Sequence, residues 1–198
     1  NMKPQSKLLV GSLAVFVMMH PASGADATWT GLGADSLWTT IDNWSASPVP
    51  GAGNIATFDG LGNGKTTITT APAALFGYVF DTGSAAYTIS ASSTTWAVPN
   101  GGGVTINSGV LTDQNLSGIQ FIRPASGSTT NFVNQGSGLL KLGTIFNSNT
   151  INGNALLRFA PSSGATIEVI SGKTIDNATT ARTVSILLDD AGILKMVG

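Results

Sequence analysis

Short runs of β-forming residues, separated by turns rich in Gly, Asn, Ser and Pro, fill most of this 198-residue chain after residue 62. Such runs between turn residues indicate strands, and no stretch after residue 27 combines a 3.6-residue period with good helix formers. The sequence therefore predicts an all-β fold. The predicted strands are Thr66–Thr70, Tyr78–Phe80, Tyr87–Ser90, Gly103–Asn107, Ile119–Ile122, Asn131–Val133, Leu139–Leu142, Leu156–Phe159, Thr166–Ile170, Thr183–Leu188 and Leu194–Val197.

Many short strands fit either a β-sandwich or a β-solenoid, and weak internal repetition favours the solenoid. Ser163-Gly164-Ala165-Thr166-Ile167 resembles Ser171-Gly172-Lys173-Thr174-Ile175. With rungs of about 20 to 25 residues, residues 63–198 would form roughly six rungs. Chance similarity in a Gly/Thr/Ser/Asn-rich chain is the alternative. Basic residues also recur about once per predicted rung, at Arg123, Lys141, Arg158, Lys173 and Lys195.

Residues 1–27 have the pattern of an export signal. Lys3 and Lys7 precede an uncharged, mostly apolar run from Leu8 to Met19, and Ala25-Asp26-Ala27 forms an A-x-A-like cleavage site. A helix over that run would rise only about 18 Å, against a bilayer core of roughly 30 Å, which disfavours a retained anchor. We predict a signal-peptide helix removed after Ala27, with cuts after Gly24 or Ala25 as alternatives.

Composition excludes several kinds of chemistry from the part that follows residue 27. The chain has no Cys, and its one His, His20, lies within the predicted signal. Histidine-based nucleophile systems and Cys/His zinc sites therefore cannot form there. Only 10% of residues are charged and the net charge is −1, so nucleic-acid binding is not expected. We expect no cofactor, no metal and no enzymatic activity.

Two sets of charged residues are candidates for a catalytic site. The acidic residues could serve a glycosidase or a calcium site, but no calcium-loop motif joins them. The basic series could abstract a proton beside a uronate, as in some β-helix polysaccharide lyases, but its uneven spacing does not guarantee one face. Scattered solubilising charge is the favoured interpretation. The acidic residues are Asp35, Asp42, Asp59, Asp81, Asp113, Glu168, Asp176, Asp189 and Asp190.

Residues 28–62 concentrate three of the four tryptophans among Gly, Asn and Pro. A solenoid needs a cap that buries its apolar end and blocks edge pairing, and large aromatic side chains can supply it. Asn43 could bond backbone in an Asx turn. The alternative is a carbohydrate-binding platform, with Trp38 and Trp44 stacking on sugar rings. The residues predicted to build the cap are Trp29, Gly31, Trp38, Asn43, Trp44 and Phe58.

These residues and their order resemble the start of bacterial proteins with autotransporter-associated β-strand repeats. The matching segments are Trp29-Thr30-Gly31, Trp38, Asn43-Trp44, Pro50-Gly51, Ala56-Thr57-Phe58, Tyr78-Val79-Phe80-Asp81, Tyr87-Thr88-Ile89-Ser90 and Gly101-Gly102-Gly103-Val104-Thr105-Ile106. The closing segment 191–198 looks like the first half of the family's repeat unit. The resemblance implies a right-handed parallel β-helix, with a cap at 28–62 and rungs over 63–198.

The resemblance also implies a passenger domain, exported by the signal-peptide machinery and displayed on, or released from, the outer membrane of a diderm bacterium. Many family members end in a transporter β-barrel or a sorting tail, and we expect such a part to lie downstream of this chain. The expected function is a non-enzymatic structural or adhesin-like module. Its expected partners are cell-surface glycans or other cells. A carbohydrate-binding module and a fragment of a β-helix polysaccharide-degrading enzyme are the alternatives.

Overall fold

Two parallel β-sheets build the protein, and the chain passes from one to the other along its length. The computed structural model describes residues 24–71, 75–122, 127–146, 155–170 and 184–197. In spatial order the first sheet contains β1 (Ala27–Thr28), β2 (Ile55–Phe58), β4 (Gly77–Phe80), β6 (Gly103–Ile106), β8 (Thr129–Asn134), β11 (Ala155–Pro161) and β13 (Val184–Leu188). The second contains β3 (Thr67–Ala71), β5 (Thr88–Ala97), β7 (Gln114–Ile122), β9 (Leu139–Leu142), β12 (Thr166–Ile170) and β14 (Ile193–Val197), and β10 (Ile145–Phe146) pairs with β7.

This alternation is a β-solenoid, which confirms the predicted all-β, parallel coil and excludes the sandwich. The described residues contain no α-helix, only two 3₁₀ turns at Ile41–Asn43 and Gly60–Gly62. Every predicted run contains or overlaps a strand. The right-handed sense of the coil stays a prediction, favoured by the general hand of parallel crossovers.

The predicted rung length is wrong for all but the first coil. From β2 onward, successive strands of the first sheet pair at separations of 22, 26, 28, 27 and 29 residues. These separations come from the pairs Ile55–Gly77, Gly77–Gly103, Gly103–Asn131, Thr129–Leu156 and Ala155–Val184. The coils are longer than expected partly because β5 and β7 extend to 10 and 9 residues. The parts of β5 and β7 that lie outside the predicted runs are rich in polar residues such as Ser and Thr. The hydrophobic pattern therefore does not reveal the full length of these strands.

Inward side chains stack from coil to coil into columns. One column runs through Tyr78, Val104, Phe132, Phe159 and Leu188 at successive paired positions of the first sheet. The first four of these side chains are buried in one core shared by both sheets. Phe132 and Phe159 stack with centroids 5.1 Å apart. Burying each such side chain contributes about 1.5–3 kcal/mol, so the columns hold neighbouring coils together.

The last described coil leaves its inward positions open. Ile186 and Leu188 of β13 continue the buried positions Leu157 and Phe159, yet they are 46% and 48% exposed. Met196 of β14 continues the buried Val169 and is 45% exposed. These residues therefore present to solvent the kind of surface that each preceding coil buries beneath the next.

Candidate functional site: the tryptophan cap and its cleft

The segment before β2 covers the N-terminal edges of both sheets. β1 pairs with β2, and an isolated parallel bridge joins Leu37 to Thr69 of β3. Trp29 forms an antiparallel bridge with Trp44, which closes the segment on itself. Unpaired strand edges invite pairing with other chains, so this arrangement protects the first coil.

Trp29, Trp38 and Trp44 pack against one another on the end of the core. The Trp38 and Trp44 ring centroids lie 4.5 Å apart and those of Trp29 and Trp44 lie 5.1 Å apart, both edge to face. Trp38 also meets Tyr78 edge to face at 5.9 Å, while Phe58 stacks on Phe80 at 5.2 Å. Edge-to-face pairs add about 0.5–1.5 kcal/mol each beyond area burial. The tryptophans thus extend the aromatic core of the first coil.

Each of the three indole N–H groups donates to a backbone carbonyl oxygen within the protein. Trp29 donates to Lys65 at 2.9 Å, Trp38 to Pro50 at 2.9 Å, and Trp44 to Trp38 at 2.8 Å. Buried indoles need such partners, because an unpaired donor away from water is costly. The rings are consequently fixed in both position and orientation.

Asn43 organises the loop that carries Trp38. Its buried side chain accepts the Gly33 N–H at 2.9 Å and donates to the carbonyls of Asp35 and Leu37, both at 3.1 Å. The predicted Asx turn is therefore wrong in its range, since the partners lie six to ten residues earlier in the chain. A Cβ on Gly33 would approach the Asn43 side chain to 2.7 Å, so glycine is required there.

Gly31 and Gly62 allow the backbone to pass close to Trp29. Gly31 has a φ of 62°, in the left-handed region that glycine enters without strain. A Cβ on Gly62 would lie 2.2 Å from Trp29 Cδ1, so a side chain there would displace the ring. Sequence reasoning missed Gly62, because nothing local distinguishes it from the other turn glycines. The Lys65 ammonium donates to the carbonyl of Gly33 across the same region.

Asp35 closes the turn that precedes Trp38. Its carboxylate accepts the Thr40 hydroxyl at 2.7 Å and the Leu37 N–H at 3.0 Å. The Thr40 bond, followed by the Leu37 N–H, lowers the pKa of Asp35 below its usual 3.8. Hydrogen bonds to the charged form favour ionisation, so this carboxylate is a structural acceptor in its ionised state.

Trp38 and Trp44 do not offer open ring faces for sugar stacking. They are only 1% and 6% exposed, and both lie within the core. Trp44 nevertheless lines an open cleft of about 510 Å³ on the outer surface of the cap. The other residues that line it are Leu32, Ile41, Asp42, Ser45, Ala46 and Ser47.

Both tyrosines of the chain lie beneath the cap in a low-polarity environment. Burial raises the pKa of Tyr78, whose hydroxyl has no hydrogen-bond partner within the described residues. Burial and the nearby Asp59 raise the pKa of Tyr87 to about 12. The Tyr87 hydroxyl donates to the Asp59 carbonyl at 3.3 Å. Both phenols are therefore kept neutral far above their ordinary range.

Most candidate acidic residues serve separate turns or ion pairs. Glu168 pairs with Lys195 at 2.6 Å and Asp189 with Arg158 at 2.6 Å. Asp176 lies outside the described residues. No group of three or more acidic side chains converges as a metal site within the described ranges. Four of the candidate aspartates each accept one backbone N–H in a different part of the chain. The pairs are Asp35 with Leu37, Asp59 with Leu61, Asp81 with Thr82, and Asp113 with Leu139.

The described members of the basic series divide between the two sheets. Lys141 and Lys195 flank Glu168 in one column of the second sheet, whereas Arg158 lies beside Asn131 in the first. Arg123 and Lys173 lie outside the described residues. A single basic face is therefore not formed by the members that the structure places.

Two buried amides were not anticipated from the sequence. Gln114, fully buried, accepts the Tyr87 N–H at 3.1 Å and donates to the Ala85 carbonyl at 3.0 Å. Asn134, also buried, donates to the carbonyls of Gly138 and Thr166 at 2.8 and 3.0 Å. Both satisfy backbone groups where the chain turns between sheets, so they tie adjacent coils together.

No helix among the described residues is long and apolar enough to cross a membrane. Comparison of the chain with protein-family models, curated proteins and solved structures finds no match.

Proposed function

We propose that the chain is an exported, non-enzymatic β-solenoid module that acts by display at the surface of a diderm bacterium. The observation that supports this proposal most directly is the stack of inward columns, which runs through five successive coil pairings of the first sheet. Each coil is held by its neighbours, so length is gained by repetition without a new core. A spacer that projects adhesive surfaces away from a cell needs that property.

The proposed family is the one with autotransporter-associated β-strand repeats. The cap-then-coil order in the sequence supports this membership, as does the placement of Trp29, Trp38 and Trp44 over the first coil. The proposed partners are glycans or other cells, reached through the outer faces of the solenoid. Export would begin with the predicted N-terminal signal.

The contacts of residues 25–27 favour an earlier cleavage than the predicted cut after Ala27. Asp26 accepts the Ile55 N–H at 2.8 Å, and Ala27 begins β1, pairing with Ala56. A cut after Ala27 would remove both contacts from the edge of the first sheet. We therefore propose cleavage after Gly24 or Ala25. Mass measurement of the exported product tests this, and a mature N-terminus at Thr28 would contradict it.

The display proposal is tested on intact cells of the source organism. An antibody raised against the folded chain should label intact cells, and protease added outside the cells should abolish that labelling. Beads coated with the purified chain should also retain such cells better than beads coated with heat-denatured chain. Labelling that appears only after the cells are permeabilised would overturn surface display. Equal cell retention on both kinds of bead would overturn adhesion.

A further inference from the structure

The open cleft beside Trp44 combines an apolar wall with free polar groups. Leu32 and Ile41 are 82% and 54% exposed at its margin, although both are large aliphatic residues. The small exposed part of Trp44 also lines the cleft. Exposed aliphatic side chains are ordinary when single, but here two of them line one shallow, open cleft.

The polar side of the cleft is not used by the fold. Within the described residues, neither the Asp42 carboxylate nor the Ser47 hydroxyl takes part in a hydrogen bond or an ion pair. Ser45 differs, because its hydroxyl accepts the Thr28 N–H at 2.9 Å. Asp42 and Ser47 therefore add an acceptor and a donor–acceptor group to the lining of the cleft.

The floor of the cleft is rigid before any ligand arrives. Trp44 is held by its bond to the Trp38 carbonyl, and Asp42 lies in the 3₁₀ turn Ile41–Asn43, whose last residue is buried and triply bonded. Preorganised groups lose little conformational freedom on binding, which favours even small ligands. The cleft has a volume of about 510 Å³ and is largely open to solvent, so a ligand would be covered on one side only.

We propose that this cleft binds a neutral hexopyranose unit of a glycan. Sugar rings carry an apolar face of C–H groups and a rim of hydroxyls, which matches a cleft lined by aliphatic residues together with a carboxylate and a serine. Among the described residues no cation lines the cleft, and Asp42 adds a negative charge, so a uronate would be repelled. In this proposal the sugar contacts Leu32, Ile41 and the exposed part of Trp44. It does not stack on the ring faces of Trp38 and Trp44, which was the alternative that the sequence suggested.

Saturation-transfer NMR on the full chain tests the proposal with maltotriose, cellotriose, triacetylchitotriose and trigalacturonate as probes. At least one neutral trisaccharide should receive saturation, and trigalacturonate should not. Ile41→Ala and Asp42→Ala should each weaken that binding by about tenfold or more, since a lost contact of about 1.4 kcal/mol has that effect. Leu61→Ala, at an exposed residue away from the cleft, is the matched control and should bind normally.

Near-UV circular dichroism establishes that each variant is folded, which is expected because Ile41 and Asp42 are exposed. The proposal is overturned if none of the neutral probes binds, or if binding persists unchanged in Ile41→Ala and Asp42→Ala. Binding of trigalacturonate equal to that of the neutral probes would overturn the assignment to neutral sugars. The result is independent of surface display, because the binding measurement needs only the purified chain.

Discussion

Trp44 donates its indole N–H to the backbone carbonyl of Trp38 at 2.8 Å, while their rings meet edge to face with centroids 4.5 Å apart. Trp38 thus holds Trp44 both through its backbone carbonyl and through its ring. Because the Trp38 indole N–H in turn donates to the Pro50 carbonyl, a single bond joins the two ends of the segment 38–50. The cap is consequently a cooperative unit.

Trp38→Ala should destabilise the chain by about 3–5 kcal/mol, the usual cost of removing a large buried aromatic side chain. Urea unfolding followed by fluorescence and circular dichroism measures the change. Leu61→Ala, at a residue 68% exposed, should leave the midpoint unaltered. A Trp38→Ala variant with normal stability would show that Trp38 is not part of the cap's core.

Gly103→Ala should prevent or severely weaken stacking of β6 on β8. The added Cβ would lie 1.7 Å from the Asn131 carbonyl oxygen, which is backbone and cannot move aside. Gly64→Ala is the control, because a Cβ there meets nothing within 4 Å. Thermal unfolding should show a large drop in melting temperature for the first variant alone. Equal melting temperatures would contradict the close pairing of Gly103 and Asn131.

Asp35 should make stability depend on pH in the acid range. Its folded pKa lies below the ordinary 3.8, so its contribution is complete above 3.8 and is lost as pH falls through the folded pKa. Asp35→Asn should lower the urea midpoint near neutral pH, and the difference from wild type should shrink in acid. Thr40→Val should return the pKa of Asp35 toward 3.8 in an NMR titration, because the Thr40 bond is the main cause of the shift. A difference between Asp35→Asn and wild type that does not change with pH would contradict this.

The two tyrosines should resist ionisation until the protein unfolds. Tyr87 has its pKa raised to about 12, and burial raises that of Tyr78 as well. In the unfolded chain the phenols ionise near pH 10.0. The contribution of the two tyrosines to the free energy of unfolding is therefore fully present below that pH, and it is lost as the pH rises toward and through their pKa values in the folded chain. Phenolate absorbance should therefore rise together with loss of near-UV circular dichroism. The urea-denatured chain is the control, and phenolate formation near 10.0 with the fold intact would be the contrary result.

Strands bounded by turn residues and alternating in polarity could be predicted closely. Leu139–Leu142 and Thr166–Ile170 have the bounds that the sequence predicts, because each follows a Gly- or Ser-rich turn and places every second residue in the core. β5 was predicted to end at Ser90 and continues to Ala97. That extension contains a Ser/Thr run without apolar alternation, and its pairing with β3 and β7 decides its structure.

β2 was missed for a different reason. Ile55–Phe58 alternates half-buried and buried positions as a strand does, but it lies within the segment interpreted as a cap. The cleft shows a further limit of sequence reasoning. Leu32 lies in a loop and Ile41, nine residues later, begins the 3₁₀ turn, and the folding of the chain around Asn43 brings them to one surface. Loop residues with no periodicity carry no signal of such proximity.

The exposed inward positions of β13 and β14 make the two ends of the described solenoid different. At the tryptophan end the rings of Trp29, Trp38 and Trp44 are buried, whereas Ile186, Leu188 and Met196 of the last described coil continue buried columns and are exposed. The described stack is therefore polar, with packed aromatic loops over one face and exposed aliphatic positions at the other.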